Sequence, residues 1–390
     1  MANMFNNFFN KISALIGGGQ TSGSVLGIDI GASSIKVVQL ELKNNTAVLQ
    51  TYGEIALGPY AGMGIGRATK LDADKLSEAL KDLLKESNVS TLNAAMSIPM
   101  KSSMVSVFEM PNIEQKQLNQ MVPIEARKYI PVPIAEVSLD WFVIPSLDNQ
   151  PHEENFESTD PKNTDEQTSK KPKLKNLEIM VVAIHNDVLN DFSNLVGSTT
   201  LKTSFFEIEM FSTARAVLDA NYLNPVMIVD IGAGATKLYI TEKGIVRDSH
   251  VESRGSQDLT LNISRSLNVD VTYAEKLKRT FGKNDAETDA KIMPLVDNIF
   301  NPIFSTANRM LLDYQKKHNK NITRVILVGG GSLLNGIDDK AKKYFAAETV
   351  LGDPFDKVQT PAFLDPVLKE TGVMFAGAIG LALRKLQELG

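Results

Sequence analysis

Between Leu26 and Lys36 the chain reads LGIDIGASSIK, and between Met227 and Lys237 it reads MIVDIGAGATK. In each copy, aliphatic and β-branched residues (Val25, Leu26 and Ile28; Val226, Ile228 and Val229) predict a buried strand, which Asp-Ile-Gly then breaks into a tight turn. One such turn predicts only a β-hairpin. Two copies in matching strand contexts, about one domain length apart, predict two related halves built around one ligand. Gly31 and Gly232 lack a Cβ, so the amides that follow them can approach an anion closely. Asp29 and Asp230 would face the same space, an arrangement that repels a phosphate unless a divalent cation, Mg2+ above all, lies between them. Ala32, Ser33, Ser34 and Lys36 follow the first turn, and Ala233, Gly234, Thr236 and Lys237 the second. They offer amide, hydroxyl and ammonium donors to phosphate oxygens.

A third glycine cluster fixes the class. VILVGGGSLLN, from Val325 to Asn335, predicts another buried strand that runs into Gly329, Gly330, Gly331 and Ser332, then a short apolar helix. Three glycines in a row let the backbone lie flat against a planar or ribose-bearing ligand. No G-x-x-x-x-G-K-[ST] occurs, which excludes a P-loop site. Gly62, Gly64 and Gly66 miss the dinucleotide spacing and read as a mobile surface loop. A net charge of −5 without a basic stripe argues against nucleic acid as a partner. With no cysteine there is no disulfide, thiolate catalysis or thiolate metal site, a composition compatible with a reducing cytoplasm. The longest apolar run, near Val373 to Leu383, is about half the length that a bilayer crossing requires.

Two D-x-G turns followed by strand-GGG-helix resemble the α/β actin-like ATPase fold of actin, Hsp70 and the sugar kinases, in which two ribonuclease-H-like lobes clasp ATP and Mg2+. Within that fold the chain resembles the PilM family of type IV pilus assembly proteins, relatives of FtsA. The resemblance covers nearly the whole chain: VVQLE after the first turn, FEMP, EARKYIPVPIAEVSLDW, VVAIH, FEIEMFSTARA, RGSQDLTLNISRSLNVDVTYAEKLKR, the GGGS loop and GVMFAGAIGLALR. It implies a first lobe from 25–93, 186–222 and 371–390, an inserted subdomain over 94–185, a second lobe from 223–262 and 318–370, and an outer subdomain over 263–317. It also implies that the protein is cytoplasmic, at the inner-membrane face, and docks the cytoplasmic N-terminal peptide of PilN. Pilus motor ATPases and inner-membrane platform proteins are further expected partners, and peripheral membrane association and self-association stay open. Tyr129, Ile130, Trp141 and Phe142 are the candidate groove residues for that peptide. Glu275 and Lys278 would border the ribose and adenine, and Glu209, in the connector that carries a polar residue near the attacking water, would position it with Asp230.

The remaining stretches are read from their own residues. Phe5, Phe8, Phe9, Ile12, Leu15 and Ile16 fall at helical spacing, so 1–24 reads as an amphipathic segment and a flexible linker, either a weak membrane or partner tether or an arm packed on its own domain. Residues 146–176 carry hardly any apolar side chain and read as a disordered insertion. Asp72 to Ser87 predicts a helix with a leucine stripe, and a second helix from about Glu114 to Tyr129 should kink or restart at Pro123. Phe205, Phe206, Ile208, Phe211 and Val217 predict one side of a crossing helix with Glu207 and Glu209 at its start. Gly255 turns into a helix whose Asp258 could approach the nucleotide or its metal. Ala32 and Lys237 depart from the family's hydroxyl-rich turns, so nucleotide binding is expected but rapid hydrolysis is not. Two alternatives stay open: an FtsA-like division adaptor and a small-molecule kinase of the same superfold.

Overall fold

In this computed structural model, which describes residues 23–144, 176–219 and 222–389, the first copy of the repeat opens a sheet. Strand β1 (Ser24–Ile30) pairs antiparallel with β2 (Ser34–Lys43), and β2 with β3 (Thr46–Ala56). Asp29 stands opposite Lys36, and Lys36 opposite Glu54. Helix α1 (Ala73–Glu86) begins at Asp72, whose carboxylate accepts the Lys75 amide at 2.9 Å, and it buries Leu80 and Leu83 as the leucine stripe requires. Strand β4 (Asn93–Ile98) then lies parallel to β1. Its residues from Ala94 onward, assigned from sequence to the inserted subdomain, are thus part of the first sheet.

Residues 104–184 form a compact unit of their own. Strands β5 (Ser103–Met110), β6 (Val137–Ile144) and β7 (Leu177–His185) pair in the order β5-β7-β6, and helix α2 (Gln115–Ala126) buries Leu118 and Val122 in the same core as Phe108, Val137, Ile179 and Val181. The helix runs through Pro123 without a fresh start. The N-terminal segment and nearly all of the 146–176 insertion lie outside the described residues.

Back in the first unit, helix α3 (Asn186–Gly197) precedes β8 (Lys202–Ile208), which completes the sheet β3-β2-β1-β4-β8. Phe205, Phe206 and Ile208 therefore belong to a strand, and the helix α4 (Glu209–Val217) starts only afterwards. A strand buried on both faces shows an unbroken apolar run, which periodicity cannot distinguish from a buried helix.

The second copy repeats the first. Strands β9 (Val226–Ile231), β10 (Thr236–Glu242) and β11 (Ile245–Glu252) form an antiparallel meander whose outer turn puts Lys243 and Gly244 at φ 56° and 75°. Helices α5 (Ser256–Leu267), α6 (Val271–Arg279) and α7 (Ala286–His318) follow, then β12 (Arg324–Val328), α8 (Ile337–Lys342) and β13 (Glu348–Leu351). The order β11-β10-β9-β12-β13, with the last three strands parallel, is the first sheet's plan over again. The predicted helix directly after the GGG cluster is only a short 3-10 turn, Gly330–Leu333.

Helix α9 (Asp365–Thr371) and helix α10 (Ala376–Leu389) close the chain. The helical run over 362–388 is long and apolar enough to cross a membrane by length and composition, contrary to the sequence estimate, but 67 % of its most apolar window is buried in the fold. Leu381 and Ala382 are fully buried, and α10 packs closely on β1 and α4: a Cβ on Gly380 would lie 1.8 Å from the Ser212 carbonyl oxygen. This is a core helix of a folded lobe.

Candidate functional site

The two repeated turns are closed by the same hydrogen bond. Gly31 N–H donates to the Ser34 carbonyl at 2.9 Å, and Gly232 N–H to the Ala235 carbonyl at 3.0 Å. They face each other, since a Cβ on Gly234 would sit 3.3 Å from the Cβ of Ala32. Between them opens a cavity of about 710 Å3.

Asp29, Gly31, Ala32, Ser33, Ser34 and Lys36 line it from the first turn; Asp230, Gly232, Ala233 and Gly234 line it from the second. Glu209, Glu275, Lys278, Gly329, Gly330 and Gly331 complete the sequence-derived set that reaches it. Four candidates do not line it. Thr236 is fully buried and donates to the Arg254 carbonyl at 2.9 Å. Ser332 Oγ donates to the Gly329 carbonyl at 2.6 Å. Asp258 accepts the Gly255 amide at 2.8 Å and caps α5, and Gly255 packs on the second turn, where a Cβ would meet the Ala233 carbonyl oxygen at 2.3 Å. These residues shape the loops that hold the wall and leave contact with a ligand to their neighbours.

Each carboxylate is held differently. Asp29 accepts from Ser97 Oγ at 2.6 Å, and α10 passes so near that a Cβ on Gly377 would lie 2.9 Å from the Asp29 carboxyl carbon. Asp230 pairs with Lys237 Nζ at 3.3 Å, and the same ammonium reaches Glu209 Oε2 at 2.8 Å. Glu209 Oε1 accepts the Met100 amide at 2.8 Å. Burial, with Asp230 and Asp29 nearby, pushes the Glu209 carboxyl up against the pull of Lys237. Burial would lower Lys237, but Asp230 and Glu209 outweigh it and hold the ammonium well above its ordinary range. Gly329, at φ 83°, must be glycine: a Cβ there would come within 2.4 Å of Asp230 Oδ1.

At the far end, Glu275 accepts from Thr260 Oγ1 at 2.7 Å, Lys278 Nζ at 2.7 Å and Arg279 Nε at 2.9 Å. Burial opposes the ionised carboxylate, yet Lys278, Thr260 and Arg279 together outweigh it and keep Glu275 below the usual range. Burial also pushes the Lys278 ammonium down.

The loop read as mobile surface is a strap across this end. Ala68 N–H donates to Gln257 Oε1, and Gly66, at φ 84°, lies where a Cβ would be 2.6 Å from Glu275 Cδ. Gly66, Thr69, Lys70 and Leu71 all line the cavity. Sequence reasoning missed them because their partners lie in the other lobe. Lys237, expected from sequence as a donor after the second turn, lines the cavity as Lys36 does.

In the separate 104–184 unit, Tyr129 is 45 % exposed and stacks on Phe108 with ring centroids 4.7 Å apart. Ile130 is a core residue, and Trp141 packs partly buried against that core. Phe142 is also partly buried. Met121 and Ile124 on α2 are more exposed than either, at 46 % and 62 %.

Two sheets of one strand plan, closed over a glycine-lined cavity, define an actin-like ATPase fold. The model of the type IV pilus assembly protein PilM family matches residues 27–157 and 165–386, and the chain belongs to that family. It is similar to a solved structure of the PilM-PilN type IV pilus biogenesis complex, at 23 % identity and a TM-score of 0.73 over 93 % of this chain and 98 % of that one. The ethanolamine utilization protein EutJ of Carboxydothermus hydrogenoformans shares 16 % identity at a TM-score of 0.50, over 98 % and 97 % of the two chains. Among curated sequences, the cell division protein FtsA of Buchnera aphidicola subsp. Baizongia pistaciae is 22 % identical over 204 residues, 45 % of this chain and 48 % of its own. EutJ of Escherichia coli K12 is 27 % identical over 154 residues, 40 % and 49 %. The chain spans about half the length of the curated relatives it matches.

Proposed function

We propose that this type IV pilus assembly protein binds ATP in the interlobe cavity, docks the N-terminal cytoplasmic peptide of PilN, and couples nucleotide state to that docking at the cytoplasmic face of the inner membrane. The observation that carries the nucleotide reading is the entry of Asp29 and Asp230, one from each repeat, into one cavity with the glycine turn at 329–331. Two hard oxygen donors fit Mg2+, which keeps several waters and leans on phosphate oxygens for the rest. Among the described residues no group of three or more His, Cys, Asp or Glu could hold a metal alone, so Asp29 and Asp230 would hold it only together with a phosphate ligand. Bound there, Mg2+ would neutralise phosphate charge.

The chain's own groups do the rest. The amides after Gly31 and Gly232 and the Lys36 ammonium receive the phosphates, while Glu275, Lys278 and the strap enclose the nucleoside end. Glu209 has one oxygen on an amide and the other on an ammonium, so it holds a water weakly and hydrolysis is slow. The PilN reading is supported by a solved relative that is a PilM-PilN complex, and by the exposed apolar face of α2 at Met121 and Ile124 with Tyr129 nearby. The test is the affinity of a PilN N-terminal peptide with and without ATP and Mg2+. Coupling demands a difference, because a ligand shifts an equilibrium only by its differential affinity. Equal affinities remove the coupling, and no peptide binding removes the partner.

A further inference from the structure

The strap over 57–69 is tied at both ends to the first turn. Leu57 N–H donates to the Ser33 carbonyl at 2.9 Å and Thr69 N–H to the Ala32 carbonyl at 2.8 Å, so the chain between them leaves the turn and returns to it as a closed loop. Tyr60 Oη donates to Asp82 Oδ2 on α1 at 2.7 Å and pins one side of the loop to its own lobe. The other side crosses to the second lobe. A Cβ on Gly64 would lie 2.7 Å from Thr272 Oγ1, Gly66 lies against Glu275, and the Ala68 Cβ would be 3.5 Å from one built on Gly234. Among the described residues, the Ala68 amide on Gln257 Oε1 is the one hydrogen bond between this loop and the second lobe.

We propose that the strap is a gate for nucleotide exchange, latched by Gln257 and Thr272, whose opening sets the rate at which nucleotide enters and leaves. The proposal rests on the nucleotide reading of the cavity. Gly66, Thr69, Lys70 and Leu71 form part of the cavity wall, so a ligand seated there is covered by the strap. Little holds the tip down: Met63 and Ile65 are 45 % and 54 % exposed and so bury little apolar surface. A segment held across the cleft by one hydrogen bond and a few glycine contacts opens locally at low free energy. Gly62 and Gly66, at φ 68° and 84°, bracket the tip and let the backbone turn on both sides of it. Gln257 lies outside the cavity lining, which makes it a positioning residue that acts on exchange through the strap.

The chain has no cysteine, and a Cβ on Gly64 would stand 3.7 Å from the Thr272 Cβ, a separation that a disulfide spans. The experiment is stopped-flow binding and release of a fluorescent ATP analogue with Mg2+ by the full chain, as wild type, Gln257→Ala, and Gly64→Cys combined with Thr272→Cys. Oxidation of the double variant should slow association and release by about tenfold or more, and dithiothreitol should restore both. The reduced double variant is its own control for folding. Gln257→Ala should speed association and release alike, by about two- to tenfold, the contribution of one hydrogen bond, and leave the equilibrium affinity within about threefold. If the oxidised form exchanges as fast as the reduced one, or if Gln257→Ala keeps wild-type rates or raises release alone, the gate is overturned while nucleotide binding stands. If the wild type binds no ATP, the nucleotide reading itself fails and takes this inference with it.

Discussion

Arg384 donates from Nη1 to Glu207 Oε1 at 2.8 Å, joining the last helix of the chain to the end of β8. Arg215 grips the same carboxylate from Nη1 and Nη2 at 2.7 and 2.8 Å and also reaches the Gly380 carbonyl at 3.0 Å, so three segments of the first lobe meet at one fully buried glutamate. Replacing Glu207 by Gln should destabilise the protein by about 3–5 kcal/mol, because it removes the one buried carboxylate that Arg215 and Arg384 share. Chemical denaturation of E207Q against wild type measures this.

The same cluster sets a pH dependence. Burial would raise Glu207, but Arg215 and Arg384 outweigh it and hold the carboxyl below its ordinary value. A depressed folded pKa contributes stability that is present above the unfolded value and lost as pH falls through the folded one. Stability should therefore fall with acidification below the ordinary glutamate range in wild type. The E207Q variant should show a shallower loss in the same pH series.

Gly380 admits no side chain without moving backbone, since the Ser212 carbonyl oxygen stands in its place. Gly380→Val should cost about 3 kcal/mol or more, the upper range of overpacking, and lower the melting temperature by well over the experimental spread. Gln387, exposed near the end of the same helix, should tolerate change far better.

Gly66 combines a left-handed backbone with direct contact to Glu275. Gly66→Val should cost about 1–3 kcal/mol through backbone strain alone. It should also weaken ATP binding, because it pushes the strap off the carboxylate. A titration showing unchanged affinity would separate the strap from the site.

Lys278→Met should weaken ATP binding by about tenfold while leaving the fold cooperative, because Arg279 and Thr260 still hold Glu275. Equilibrium binding and a denaturation curve on the same preparation distinguish this from simple unfolding.

The sequence by itself determined the repeat, and with it the two equivalent sheets, the two facing turns, the Asp29 and Asp230 pair and the glycine strand end at 329–331. Local pattern suffices for these because a buried strand, a tight turn and a Cβ-free approach each require particular residue types within a few positions. Only the tertiary structure decided which polar groups line the cavity. Thr236, Ser332 and Asp258 have the same donor and acceptor chemistry as residues in the wall, but each is consumed by a backbone group nearby. Lys36 and Lys237 occupy equivalent positions and diverge because Glu54 attracts one and Glu209 the other, and those carboxylates arrive from different elements. The strap at Gly66 and the strand at Phe205 are likewise fixed by partners distant in sequence. Periodicity and composition carry no record of such pairings, since burial and charge pairing exist only once the lobes have packed.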